Sequence, residues 1–523
     1  MKYINYILSP FKENRHIFIL FLILTTLIDF INAVTNNQYG YSIYLFSHGY
    51  ITSYLITLIY IFFPNKFYKI SILTIPIIFF IIDLFCNFYL EEQFNNRLAG
   101  IIFGTNFNEA IEFLQTFLTI KFILIIVSIL TFLILIINLV KKYKTKNYSS
   151  ITTLLSIIFL ISIILCIKTP YLWEKMLFGK IYILANTPST PDLRNYRSNL
   201  KLISTTNNKP QNIVIILGES FSKLHSSLYG YNKETNPYLS SLRDSSSLFI
   251  FNHVTSSALN TIEAIKSIMT TYNPNKSNNT REWYECEKLP DIIKQTGYYT
   301  FWISNQSQYG LYDNIASAFA KLCDTTIFVG DLCAGVGTNK LDENIIPCLQ
   351  QQINNNNSLN CYFIHLIGSH YSFNRRYPKH FNKYSPNDYC EYPKHQRYNL
   401  ATYDNSILYN DSVVYKIINL FQNKESIVFY FSDHSIDLYN SSSDYIGHAK
   451  GNVPKSADAG HQIPFMIYTS KKFNKNNPQT VKRIKENINT PFCTNNFIYT
   501  IMDITGVNFE NNKNNINRSL FKN

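Results

Sequence analysis

The chain has no stripe of basic residues, although its formal net charge is +13. Its lysines and arginines are scattered, which argues against a nucleic-acid partner, since phosphates are met by a clustered basic face. No paired Cys-x-x-Cys spacing occurs, so a cysteine-framed structural zinc site is not indicated. No small-residue cleavage site follows the first apolar run, which begins near His16; that run reads as a signal anchor rather than a removed signal peptide. There are no internal repeats.

What is present is distributed unevenly. Residues 1–170 are dominated by long runs of Ile, Leu and Phe. Five of these, near 16–34, 43–63, 69–90, 121–140 and 150–168, approach the roughly twenty residues that cross a hydrocarbon core as a helix. Lys2, Lys12 and Arg15 precede the first run, Lys66 and Lys69 separate the second from the third, and Lys141, Lys142, Lys144 and Lys146 separate the fourth from the fifth. The opposite loops hold little basic charge, and the longer one carries Glu91, Glu92, Glu109 and Glu112. By the positive-inside rule the N-terminus is cytoplasmic, and everything after about residue 170 lies outside. In a bacterium with two membranes that is the periplasm. Asp29 and Asp83 fall towards the outer ends of their spans, where contact with water can satisfy them. The loop around Gly104 to Phe113 suits an amphipathic segment at the outer interface or a packing helix beneath the outer domain.

After a linker over 171–210, residues 211–507 read as an α/β domain, and 508–523 as a polar tail that frays. Continuous apolar runs at Asn212–Leu217, Tyr299–Ser304, Tyr362–Ile367, Ile427–Phe431 and Pro464–Tyr468 imply strands buried on both faces, hence a largely parallel sheet between helices. Ligands bind such sheets beyond the carboxyl ends of their strands. There stand Glu219-Ser220, His365 with His370, and Asp433-His434. Carboxylates and imidazoles are good zinc donors, and a catalytic zinc site keeps one position open. The lesser reading of Glu219 is a cap on the following helix, since an acid suits a helix N-terminus, and His225 and His253 suit structural hydrogen bonds.

These same residues carry a family likeness. Asn212-Ile213-Val214-Ile215-Ile216-Leu217-Gly218-Glu219-Ser220, then Leu228-Tyr229-Gly230-Tyr231, Thr235-Asn236-Pro237, Tyr403-Asp404-Asn405, Ser432-Asp433-His434, Gly447-His448 and Ile463-Pro464-Phe465 occur in that order. The outer domain resembles the bacterial phosphoethanolamine transferases of the alkaline phosphatase–sulfatase superfamily, which also have five preceding spans. The resemblance implies a five-helix membrane bundle joined to a sulfatase-like domain in the periplasm, anchored in the bacterial inner membrane. It implies one or two zinc ions, with Glu219, Asp433, His434 and Thr261 as ligands and Thr261 as nucleophile, in preference to the nearby Ser220, Ser256 and Ser257. His370 and His448 would assist at the transferred phosphate or a second metal. His365, Asn106, Glu109 and His461 are weaker candidates for substrate contact.

The implied reaction moves phosphoethanolamine from phosphatidylethanolamine to lipopolysaccharide, with core heptose favoured over lipid A. Alternatives are a phosphoglycerol transferase resembling lipoteichoic acid synthases, and a non-catalytic lipid-binding membrane protein. A free sulfatase would carry a Cys/Ser-x-Pro-x-Arg motif, which is absent. The family commonly follows Ser-Asp-His with Gly-Glu, whereas Ser435-Ile436-Asp437 stand here. Of nine cysteines, Cys86 and Cys166 lie in spans and are expected to be free, and the other seven lie in an oxidising compartment. Disulfides are expected for Cys323 with Cys333 and for Cys348 with Cys361.

Overall fold

The structure, a computed structural model, describes residues 14–35, 39–63, 65–90, 94–104, 111, 120–141, 177–186, 190–196, 201–204, 209–244, 247–273, 281–308, 315–332, 341–354, 359–442, 445–449, 453–510 and 517–521. It divides into two compact units, an N-terminal one of Met1–Phe103 with Leu114–Pro188 and a C-terminal one of Ser189–Asn523 with Gly104–Phe113.

Among the described residues the N-terminal unit contains four long helices: α1 (Arg15–Thr35), α2 (Tyr39–Phe62), α3 (Lys66–Leu90) and α4 (Ile120–Lys141). They coincide with the first four expected spans, and the fifth expectation, at 150–168, lies outside the described residues. Among the described residues one stretch, Lys66–Asn87, is both long and apolar enough to cross a membrane by those two criteria. A shorter helix, α5 (Leu177–Asn186), follows within the expected linker. It is no surface tether, because Leu177 and Ile183 join the apolar core of this unit. Asp83 also departs from expectation. Instead of facing water it is buried, accepts from the Phe94 backbone at 3.0 Å and forms an ion pair with buried Lys180 on α5.

The C-terminal unit is built on a seven-stranded sheet. Its strands are β1 (Asn212–Gly218), β2 (Leu248–Ile250), β3 (Tyr299–Ser304), β4 (Thr325–Phe328), β5 (Asn360–His365), β6 (Ser426–Ser432) and β7 (Phe465–Thr469). Their spatial order is β2-β7-β6-β1-β5-β3-β4. The stretch from β6 to β4 is parallel, while β7 runs antiparallel to both β6 and β2. In β1, Ile213, Ile215 and Leu217 enter one apolar cluster and Val214 and Ile216 the other. Both faces are covered, so an alternating side-chain geometry is met by an unbroken apolar sequence. The expected third strand stops two residues early, at His365. The amides of Ile367 and Gly368 leave the ladder and donate to the Asp342 carboxylate at 2.9 and 2.8 Å.

Three helices of this unit position the site: α6 (Thr261–Ile268), α7 (Lys394–Phe421) and α8 (Pro454–His461). The chain end does not fray where it is described. Val507–Phe509 pairs with the short strand Leu202–Ser204, and Leu520 and Phe521 are buried in the core. The expected Cys348–Cys361 disulfide is absent; both are free thiols, packed against opposite faces of the sheet. Cys323 is also free, and Cys333 lies outside the described residues. Cys86 is free and buried, and Cys166 lies outside the described residues.

Candidate metal centre

Two adjacent parallel strands deliver the acids. β1 ends at Gly218, which places Glu219 just beyond it, and β6 ends at Ser432, which places Asp433 and His434 beside it. The Asp433 amide donates to the Gly218 carbonyl at 3.0 Å, so the two strand ends are tied at the point where the ligands project. Candidate ligand atoms of Glu219, Asp433 and His434 lie within 4.8 Å of one another, and all three residues are buried.

The turn that aims Glu219 is held in an unusual backbone conformation. Ser220 has φ 55°, left-handed for a residue with a side chain. Several bonds secure it. The Ser220 hydroxyl donates to Glu219 Oε1 at 2.7 Å, and the Tyr403 hydroxyl, from α7, donates to the Ser220 carbonyl at 2.8 Å. The same Tyr403 oxygen accepts from the Ser222 amide at 2.8 Å. Gly368 packs against this turn so closely that a Cβ there would lie 2.8 Å from the Glu219 backbone, and its own φ is +55°. Only glycine suits both demands.

Thr261 is the first residue of α6, capped by Asn260, whose side chain accepts from the Glu263 amide at 3.1 Å. Its hydroxyl donates towards Glu219, 3.1 Å from Oε2 and 3.3 Å from Oε1, and lies 3.2 Å from His434 Nε2. The rival hydroxyls are committed elsewhere. Ser256 Oγ donates to the Asp433 and Ala258 carbonyls, and Ser257 Oγ pairs with Ser267. Ser220 Oγ is spent on Glu219 and is buried. Thr261 alone among these four combines partial exposure with a hydroxyl aimed at the acids and the imidazole.

His434 is oriented by its other nitrogen: Nδ1 lies 2.7 Å from the Ser435 carbonyl, which holds the proton there and presents Nε2 to the cluster. Electrostatically the group is incomplete. Burial raises the Asp433 carboxyl, and the charge of Glu219 raises it further, to about 7. Burial also acts to raise Glu219, but the His434 hydrogen bond and charge prevail and hold it below the usual carboxylate range. Burial lowers His434, yet its two carboxylate neighbours outweigh this and lift it to about 9. Asp433 Oδ2 is buried without a hydrogen-bond partner, its approach to His434 Nε2 being 3.6 Å. Two buried carboxylates, one bare lone pair and an imidazole with Nε2 turned inward make a donor set that a divalent cation completes. Zinc fits, with Thr261 Oγ1 as a fourth donor.

Around this core the other expected residues divide. The His448 ring centroid lies 5.0 Å from that of His434, and the side chain is exposed. His370 is partly exposed and close enough for its charge to act on Glu219. His365 does not line the opening. It is 1% exposed, its Nδ1 lies 3.3 Å from Ser304 Oγ, and burial drives it down to about 4 against the pull of Glu219, so it sits neutral behind the site. His461 braces a loop, with Nδ1 2.7 Å from the Ser256 carbonyl. Asn106 and Glu109 lie outside the described residues. His225 bonds Asp404 Oδ1 at 2.7 Å, a structural role.

Sequence reading assigned no role to Tyr403, Gly368 or Asp437, although Tyr403 and Asp437 stand in stretches it singled out. Asp437 is buried and accepts from the Asn440 and Ser441 amides and the Ser456 hydroxyl, fixing the hairpin Asp437–Leu438/Ile446–Gly447 that leads into His448. The sequence signal for Tyr403 was its place in the Tyr403-Asp404-Asn405 stretch, and the structure adds that Asp404, Asn405, Asn410 and Asp411 of the same helix are all buried, where polar groups need partners.

The sulfatase family profile matches residues 211–507. Across 451 residues the chain is 26% identical to phosphoethanolamine transferase EptC of Escherichia coli, covering 80% of this chain and 76% of that protein. It is 26% identical over 419 residues to phosphoethanolamine transferase EptA of Helicobacter pylori, covering 75% of each. The structure superposes on the integral membrane protein lipooligosaccharide phosphoethanolamine transferase A of Neisseria meningitidis with a TM-score of 0.67. That match is 17% identical and spans 94% of this chain and 95% of that one. The periplasmic domain of E. coli EptC, solved in complex with zinc, matches with a TM-score of 0.56 at 26% identity, over 62% of this chain and 89% of that one.

Proposed function

This chain belongs to the sulfatase family, and on that premise we propose that it transfers phosphoethanolamine from phosphatidylethanolamine to lipopolysaccharide, with core heptose as the favoured acceptor and lipid A as the second. The observation that carries the reading is the convergence of Thr261 Oγ1 on Glu219 and His434. Its relatives named as phosphoethanolamine transferases supply the group transferred.

Glu219, Asp433, His434 and Thr261 would hold zinc, which when bound supplies a Lewis acid that lowers the pKa of a coordinated hydroxyl. The chain's own part begins with Thr261. Its hydroxyl proton passes to His370 or His448 as its oxygen attacks the phosphorus in line, and the same histidine returns that proton to the leaving oxygen. The bond from phosphorus to the diacylglycerol oxygen breaks, that oxygen takes up a proton, and phosphoethanolamine remains esterified to Thr261. An acceptor oxygen then attacks the same phosphorus, its proton passes to His370 or His448, and Thr261 leaves as the alcohol. The positive end of α6 and the two rim histidines offset charge on the remaining phosphoryl oxygens. Both substrates are lipids, which explains a catalytic unit attached to helices. In this reading the N-terminal unit crosses the inner membrane five times and the catalytic unit faces the periplasm.

The test is expression of wild type and Thr261→Ala in a lipopolysaccharide-bearing host, with mass spectra of separated lipid A and core oligosaccharide. A phosphoethanolamine adduct with wild type only supports the reading, and its fraction names the acceptor. An adduct that survives the substitution removes Thr261 as nucleophile.

A further inference from the structure

The C-terminal unit carries a cavity of about 610 Å³ to which no part of the reaction above assigns a role. Lys223, His253 and Arg518 line it, and among the described residues no aspartate or glutamate does. Its cationic side chains are held but not neutralised. Lys223 Nζ donates to the Asn252 carbonyl at 3.0 Å. Arg518 donates to Asn496 Oδ1 and the Tyr499 hydroxyl at 2.9 and 2.7 Å and lies 4.1 Å over the Tyr499 ring. Among the described residues, none of the three pairs with a carboxylate. The guanidinium is thus fixed in place by neutral partners, with donors left for a ligand.

The position of the cavity ties it to the site. Lys223 follows Glu219 by four positions, and its amide donates to the Gln462 carbonyl at 3.0 Å. Thr255 forms part of the wall, and the next residue, Ser256, donates through Oγ to the Asp433 carbonyl at 2.5 Å. The remaining lining sets hydroxyls and amides, among them those of Thr490, Asn496 and Asn517, beside apolar Val254, Phe492 and Leu520, a mixture suited to a sugar ring, with its polar edges and apolar faces, that bears an anionic substituent. Volume decides against a bare anion, since a lone phosphate would fill only a small part of it.

We propose that this cavity is an anion subsite that takes a phosphorylated saccharide of the acceptor, with Lys223 and Arg518 gripping the phosphate. The word acceptor rests on the transferase reading; the affinity for sugar phosphate does not. The test titrates glucose 6-phosphate, glucose and inorganic phosphate calorimetrically into the full-length, zinc-loaded protein, as wild type, Lys223→Met, Arg518→Met and Arg518→Lys. Glucose 6-phosphate should bind wild type and weaken about tenfold on losing either charge, the loss expected for a charge-assisted hydrogen bond. Arg518→Lys should recover part of it. Lys223→Met keeps the side-chain stem, so it remains informative if Arg518→Met misfolds. Equal affinity in wild type and Lys223→Met overturns the proposal. So does inorganic phosphate binding as tightly as the sugar phosphate with the same loss, which would mean a bare-anion site. Displacement of the sugar phosphate by phosphatidylglycerol vesicles more readily than by lipopolysaccharide assigns the cavity to a lipid headgroup and overturns it as well. If wild type transfers no phosphoethanolamine while the titration behaves as expected, the transferase reading fails and the subsite stands.

Discussion

The hydroxyl of Tyr403 donates to the carbonyl of Ser220 at 2.8 Å, joining a helix to a strand end 183 positions earlier. It also accepts the Ser222 amide, so a single oxygen bridges the turn whose backbone aims Glu219. Tyr403→Phe removes both bonds and leaves a buried amide unsatisfied. A loss of about 1–3 kcal/mol in stability is expected, read from denaturant melts, with zinc affinity about tenfold weaker by competition with a chelator. Unchanged zinc affinity would mean that the turn holds without it.

Gly368→Ala should be worse than its size suggests. The left-handed backbone disfavours a Cβ by about 1 kcal/mol, and the overlap with the Glu219 backbone adds about 1–3 kcal/mol. Since the strain falls on a ligand, activity should drop along with the melting temperature.

Glu219→Gln keeps the shape and deletes the charge. Purified protein should then carry little zinc by elemental analysis, with transferase activity lost in proportion. Chelation of wild type should reproduce that loss, and added zinc should restore wild type but not the variant. Full zinc occupancy in Glu219→Gln would exclude Glu219 as a ligand.

His365 sets an acid limit on stability. Burial lowers its folded-state pKa to about 4, whereas an unfolded histidine titrates near 6.5. Above that value both states are neutral and the group is silent. As pH falls from about 6.5 to 4 only the unfolded chain takes up the proton, so stability declines, in total by about 3 kcal/mol. Denaturant midpoints across this window should fall in wild type and flatten in His365→Gln.

In the N-terminal unit, Asp83→Ala should be strongly destabilising, by about 3–5 kcal/mol, because it leaves the Lys180 ammonium buried and alone. Asp83→Leu combined with Lys180→Met should recover much of that loss, as judged by thermal stability in detergent. Single and double variants of equal stability would show that the pair is solvated.

Much of the catalytic fold was legible because burial on two faces leaves an unmistakable trace: Ile213 to Leu217 can hardly be anything but an interior strand. Strand direction leaves none, so Phe465–Thr469 gave no sign of running antiparallel. His365 stood at the end of an apolar run like the ligands, but Asp342 captures the next amides and turns the chain early, leaving the imidazole behind the opening. Thr261 has no local signature, and only its family resemblance singled it out. The partner of Asp83 was hidden by lying 97 positions away, and Leu520 with Phe521 is too short an apolar pair to announce a docked terminus.

The order of strands in the sheet also fixes a timetable. β1 is the first of the seven to be synthesised, yet its neighbours β5 and β6 begin only at Asn360 and Ser426. A strand with no polar face must therefore wait, unpaired, for well over a hundred residues of later chain. Glu219 in turn meets Asp433 and His434 only when the second of those neighbours arrives. Assembly of the proposed metal centre thus comes late in the chain's history, and a product truncated before residue 433 would carry the threonine and one acid but no means of assembling them.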